Sequence, residues 1–214
     1  MERDNKHLIR FTDKQFLQSL GVAIFLFLVG MATSYVSILY ATSTASHPVT
    51  DLILNNIPVV NFEWLFIYGP MIFWLVVVAY ALIKTPRRFP FGLKAIGLFL
   101  VIRSFFIILT HTAPFPNHIP IDFSSTIYSF FIKGDDLFFS AHTGLPFLMM
   151  FVFWDRKYMR WFCLLSSIFF GAVVLLTHLH YSIDVFAAFF ITYTIYHIAR
   201  LWFKKDFNFA LIKQ

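Results

Sequence analysis

The chain has 214 residues, 59% of them hydrophobic and only 13% charged, with 30 phenylalanines. A globular domain carries about 25% charged residues, so this composition excludes a water-soluble enzyme and points instead to apolar runs of about 20 residues that cross a membrane. The net charge of +6 reads as cytoplasmic connector charge rather than a nucleic-acid surface, and the single cysteine, Cys163, forms no intrachain disulfide.

A polar arm over 1–14 carries Arg3, Lys6, Arg10 and Lys14 and precedes the first apolar run, 15–40, which reads as a retained helix rather than a cleaved leader. Further apolar runs follow at 64–83, 91–110, 136–154, 161–179 and 182–203. The expected fold is therefore all-α and integral to the membrane, with six transmembrane helices forming one catalytic domain over 15–203 and a tail over 204–214. The fourth run crosses only if its helix begins near Leu137, which gives it about 27 Å. Ser140 and His142 then fall in its first two turns.

The connectors alternate in charge. The arm, the segment "KTPRRFPFGLK" (84–94), the segment "DRKYMR" (155–160) and the C-terminal end with Arg200, Lys204, Lys205 and Lys213 are cationic. The other three connectors share one cation, Lys133. By the positive-inside rule both termini are cytoplasmic and the first, third and fifth connectors face outward. That places Asp135, Asp136, Ser140, His142, His178, His180 and Asp184 at outer helix ends.

His180 and Asp184 are four apart, which on a helix puts them on one face about 6 Å apart. A carboxylate so placed fixes the imidazole tautomer and leaves the other nitrogen free to attack. The pair also falls at a helix N-terminus, where unpaired amides favour a phosphate. His142 is a second imidazole suited to protonating a leaving oxygen. Ser140 is placed to donate to a phosphate oxygen, Asp136 to hold Ser140, and Arg103, inside the third apolar run, to clamp a phosphate. Each residue taken alone has a plainer reading. Ser140 suits a helix cap, Arg103 a snorkelling side chain, the His–Asp pair an ordinary helix-surface contact, and His111, His118 and His197 interfacial positions. Gathered on one face of a membrane, where ionisable groups are costly, the set reads as functional.

"DLFFSAHT" (136–143) and "HYSIDVFAAF" (180–189) resemble the D-x-x-x-S-G-H-T and H-Y-T-x-D-V-x-x-A-Y motifs of the sphingomyelin synthase branch of the type 2 phosphatidic acid phosphatase superfamily. "HPVTDLILNNIPVVN" (47–61) and "RSFFIILTHTAPFP" (103–116) are similar to two further elements of that branch, so the resemblance covers roughly 47–203. It implies His180 as nucleophile, Asp184 as its partner, His142 as the acid on the leaving group, and an exoplasmic site on six helices. Ala141 stands where the branch has glycine, and Ser182 where it has threonine. The K-x6-R-P and S-R-x5-H elements of ordinary lipid phosphatases are absent, with Val174 at the position of the second arginine. So few outward cations suit a phosphodiester better than a doubly charged monoester.

The expected activity is cleavage of a phospholipid donor through a phosphohistidine. The phospho-head-group passes to a lipid alcohol such as ceramide or diacylglycerol, with no metal, cofactor or nucleic acid required. The setting is a bacterial inner membrane or a eukaryotic endomembrane or plasma membrane, with the site on the periplasmic or lumenal face. Competing readings are a phosphatase using water, a haem protein with His142 and His180 as axial ligands, and an inactive lipid-binding scaffold. Oligomeric state is left open.

Overall fold

The computed structural model describes residues 14–120 and 137–211. Among them the chain is all-helical: α1 (Lys14–Thr44), α2 (Glu63–Lys84), a 3₁₀ turn (Pro86–Arg88), α3 (Phe89–Leu109), α4 (Ala141–Val152), α5 (Lys157–Leu176), α6 (Ser182–Trp202) and α7 (Lys204–Leu211). The 3₁₀ turn runs on into α3, and this continuous stretch, together with α1, α2, α5 and α6, is long and apolar enough to cross a membrane. These five spans make the protein an integral membrane protein.

α3, α5 and α6 surround α4, while α1 lies along α3 and α2 leans on α5. Close approach between α1 and α3 depends on glycine. A Cβ at Gly97 would sit 2.8 Å from the Leu26 carbonyl carbon and oxygen, closer than two packed helices allow. At the centre, Phe99, Phe139, Leu148, Cys163, Ala188 and Ile195 fill one core.

The fourth element departs from expectation. α4 has 12 residues, about 18 Å of helix, against about 30 Å for the hydrocarbon core. Its helix does not begin near Leu137, and Ser140 is not inside it. Ser140 is the N-cap, with extended backbone (φ −60°, ψ 117°), and its hydroxyl accepts from the Thr143 amide. The reason is local and tertiary together. The Ser140 amide donates to the Asp184 carbonyl at 3.1 Å, and the Phe139 carbonyl accepts from Arg103 Nε at 2.7 Å. Both groups are thus committed outside any helix. Non-helical backbone at membrane depth persists only where protein supplies such partners.

The connectors gather at two ends. At one, Ser46 N donates to the His111 carbonyl, Ala113 N to that of His47, Val60 N to that of Leu176, and Ile119 N to that of Thr177. At the other, Arg88 donates to the Val152 carbonyl and pairs with Asp155, and Lys94 Nζ pairs with Asp206 Oδ2 at 2.6 Å. Lys94, read from sequence as connector charge, lies within α3 and is buried. The segment read as a tail is helical over most of its length, folding back so that Arg200 lies over the Phe207 ring at 4.5 Å.

Arg103 is 2% exposed, and a hydrogen bond from a charged donor contributes about 1.5–3 kcal/mol. Replacement by leucine is expected to lower the melting temperature by several degrees. It should also raise amide exchange over residues 139–143, while Arg103→Lys restores part of both. Unchanged exchange in Arg103→Leu would contradict the anchoring role.

Candidate functional site

α6 opens with an unusual start. His180 and Tyr181 precede the helix, Tyr181 is its N-cap and Asp184 its third residue. The His180–Asp184 pair therefore forms, but not as two side chains on one helical face. Asp184 Oδ2 accepts from the Tyr181 amide at 3.0 Å and lies 3.3 Å from His180 Nδ1. One carboxylate thus caps a helix and orients an imidazole. Both residues are nearly inaccessible, at 3% and 2% exposure. With the proton on Nδ1, Nε2 is the nitrogen available to react.

The sequence reading missed a second carboxylate. Asp51 Oδ1 accepts from the Ile53 and Leu54 amides at 2.8 and 3.0 Å, and Oδ2 accepts from the Ser182 amide at 2.7 Å. Burial pushes the Asp51 carboxyl up, but bonds from Leu54, Ser182 and Ile53 together outweigh it and hold the group below its ordinary value. The expectation that the α6 N-terminus cradles a phosphate is accordingly corrected. Asp184 and Asp51 already take the Tyr181 and Ser182 amides, so neither amide is open to a phosphate. The only sequence signal for Asp51 was its place ahead of two amides in a polar loop, the pattern of an Asx turn.

Tyr181 binds the loops together. Its hydroxyl donates to the Ala113 carbonyl at 2.8 Å and accepts from the Val49 amide at 3.2 Å. The loop after α1 and the loop after α3 are thereby fixed to the start of α6.

The other histidine motif is stitched to this one through the Ser140–Asp184 backbone bond described above. Ser140 is buried, and its hydroxyl accepts from both the amide and the hydroxyl of Thr143, at 3.4 and 3.3 Å. Ser167 donates to the Thr143 carbonyl at 2.7 Å and fixes the first turn of α4 against α5. His142 is stacked on Phe66, with ring centroids 4.1 Å apart and planes inclined by 23°. Beside it opens a cavity of about 170 Å³ bounded by Pro70, Phe73, Trp74, Leu145 and Phe170. Ala141, where the resembling motif has glycine, forms part of that wall. His142 thus has an apolar neighbourhood and His180 a carboxylate neighbourhood, a division suited to distinct roles. Arg103 lies beneath the α4 entrance on the Phe139 carbonyl. Asp136, expected to hold Ser140, lies outside the described residues.

His178 is the remaining buried imidazole. It has a left-handed backbone (φ 57°) and 3% exposure, and meets the Phe115 ring edge-on at 5.2 Å. Neither ring nitrogen has a hydrogen-bond partner among the described residues. Burial pulls its pKa below the ordinary value, and the Asp51 carboxylate and the Ile57 carbonyl, neither in hydrogen-bonding geometry with it, offset only part of that effect.

Residues 134–201 match the family model described as PAP2 superfamily C-terminal. The match spans about a third of the chain and contains both histidine motifs. It supports the type 2 phosphatidic acid phosphatase superfamily, whose members are generally phosphatases, without reaching the sphingomyelin synthase branch. No curated protein matches the chain.

His178 gives the protein a pH dependence of definite sign. Its folded pKa lies below the ordinary value of 6.5, so its stabilising contribution is complete above that value and is lost as pH falls through the folded one. The wild type should lose thermal stability on acidification from about pH 7.5 to 5.5. His178→Asn, which suits the left-handed backbone and does not titrate, should lose less. Identical acid slopes in the two proteins would contradict the assignment.

Proposed function

We propose that the protein cleaves a phospholipid at its phosphate ester and transfers the phospho-head-group, through a phosphohistidine on His180, to a lipid alcohol. The observation that carries this reading is the buried His180 Nδ1–Asp184 Oδ2 contact at 3.3 Å, on a helix start stitched to the cap of the His142 helix. In the first step His180 Nε2 attacks phosphorus, the bond from phosphorus to the lipid oxygen breaks, and His142 gives that oxygen a proton. In the second, His142 takes the proton of the acceptor hydroxyl as its oxygen attacks phosphorus, and the P–N bond breaks. General acid–base catalysis of this kind contributes about 10²–10⁴-fold. Asp184 stabilises the imidazolium character that develops on His180. Ser140 and Arg103 position the α4 entrance, and Arg103 adds positive charge beneath it.

Transfer to lipid is favoured over transfer to water by the walls around His142. Phe66, Pro70, Phe73 and Trp74 admit an apolar acceptor more readily than bulk water. Ceramide and diacylglycerol are the acceptor classes that fit. The second reading, a phosphatase using water, rests on the superfamily match at residues 134–201. The arginine- and lysine-rich end, with Arg87, Arg88, Arg156, Lys157 and Lys204, supports a cytoplasmic placement of that end and an exoplasmic one for the histidines.

Labelled phospholipid, supplied with and without ceramide or diacylglycerol, distinguishes the two by its products. A head-group-bearing lipid that appears only with acceptor supports transfer, and acceptor-independent release of phosphate or head-group supports hydrolysis. His180→Ala is expected to abolish both outcomes, and Asp184→Asn to slow turnover about 10²-fold or more. His142→Ala should lose far more activity on phospholipid than on a p-nitrophenyl ester, whose leaving group needs little protonation. Equal loss on the two substrates would remove His142 as the acid.

A further inference from the structure

A second cavity, of about 360 Å³, lies between α1, α2, α3 and α4, deeper toward the basic end. Trp74 and Leu145 line both this cavity and the smaller one beside His142, so the two are neighbours separated only by these apolar side chains. Val78, Ala81, Gly92 and Ile96 bound the deep part. Its floor is Arg88, whose guanidinium donates to the Val152 carbonyl at 2.8 Å and to Asp155 at 2.6 Å. A buried charge so held is a stop for hydrocarbon.

We propose that this cavity is the acyl-chain slot of the donor lipid and that Arg88 sets the chain length it accepts. The inference rests on the reaction proposed above and adds to it a selectivity for the donor's tail. Dimensions support a single chain. From His142 to Val152 the wall runs ten residues along α4, about 15 Å. That equals about half the hydrocarbon core, the depth available to one leaflet's chain. The entrance is also recessed. Arg103, which holds the Phe139 carbonyl, lies six residues before the end of α3, about 9 Å below it. A phosphate at His142 therefore draws its lipid partly out of the bilayer, and the displaced tail requires an apolar channel inside the protein. The volume is within the range of about 300–1,000 Å³ usual for ligand cavities.

Gly92 is the position through which the slot is best closed. A Cβ there meets only Val152 Cγ1 at 3.6 Å, ordinary contact, so larger side chains grow into the cavity rather than into backbone. Ala81 faces the same space from α2.

The test uses the full chain in phosphatidylcholine nanodiscs with two tracers: phosphatidylcholine with a photoreactive diazirine at the end of one chain, and the same lipid with the diazirine beside the ester. The end-of-chain probe should label peptides holding residues 77–81 and 88–96 more strongly than the lipid-facing peptide around Phe190. The ester-proximal probe should label residues 70–74 and 141–146. Gly92→Leu and Ala81→Phe should each cut deep labelling at least fivefold while sparing the shallow label, and should move turnover toward shorter-chain donors. Gly92→Ala, the milder change, should give the same trend in smaller measure if the larger variants fold poorly. End-of-chain labelling no stronger in the cavity than at Phe190, or insensitive to all three substitutions, overturns the slot. Deep labelling without turnover of any phospholipid supports the slot and counts against the proposed reaction. Turnover with unchanged chain-length preference in variants that lose deep labelling overturns the claim that the slot selects donors.

Discussion

Backbone amides and carbonyls buried away from water must find partners within the protein, and one short stretch of this chain leaves the helix while buried in the protein interior. Between Leu137 and Ser140 the fourth element is not helical. Its carbonyl at Phe139 is met by Arg103 and its amide at Ser140 by the Asp184 carbonyl. A buried group left unsatisfied costs about 1–3 kcal/mol, so these two bonds set where α4 begins. They also bring the start of α4 to the start of α6. The two histidine motifs, forty residues apart in sequence, become neighbours because a carbonyl and an amide needed partners.

A second economy operates at α6. Helix N-termini attract anions, and here the anions are the protein's own carboxylates. Asp184 caps Tyr181 while touching His180, and Asp51, from the loop after α1, caps Ser182. The helix start is thereby a holder for an imidazole rather than a cradle for phosphate. Tyr181, bonded to two loops through one hydroxyl, gives that holder its rigidity. His178 lies close by, its ring nitrogens without a hydrogen-bond partner among the described residues, which makes the region sensitive to acid.

Much of the architecture is legible in sequence because membrane burial demands long apolar runs. The boundaries of α2, α3, α5 and α6 fall within a few residues of those runs, and the pairing of His180 with Asp184 follows from their spacing even though His180 precedes the helix. Other features depend on partners remote in sequence. "LFFS" is apolar in either state, so hydrophobicity alone did not distinguish a first helical turn from a buried extended segment. The bond to Arg103, 36 residues away, decides it. Asp51 meets Ser182 across 131 residues, and Lys94 meets Asp206 across 112. Neither separation leaves a local pattern. α7 is too short and polar to announce itself, and folds because Arg200 and Lys94 draw its ring and carboxylate inward.

The central claim is that His180, oriented by Asp184, becomes covalently bonded to phosphorus. The most direct measurement is localisation of a phosphoryl or phospho-head-group adduct after brief reaction with phospholipid, alkaline quench to preserve an acid-labile P–N bond, and mass spectrometry of peptides. An adduct on His180 that appears within one turnover, persists longer in His142→Ala, and disappears when acceptor is added is the result this account predicts. An adduct on His142, or turnover without any adduct on His180 under conditions that preserve phosphohistidine, would contradict it.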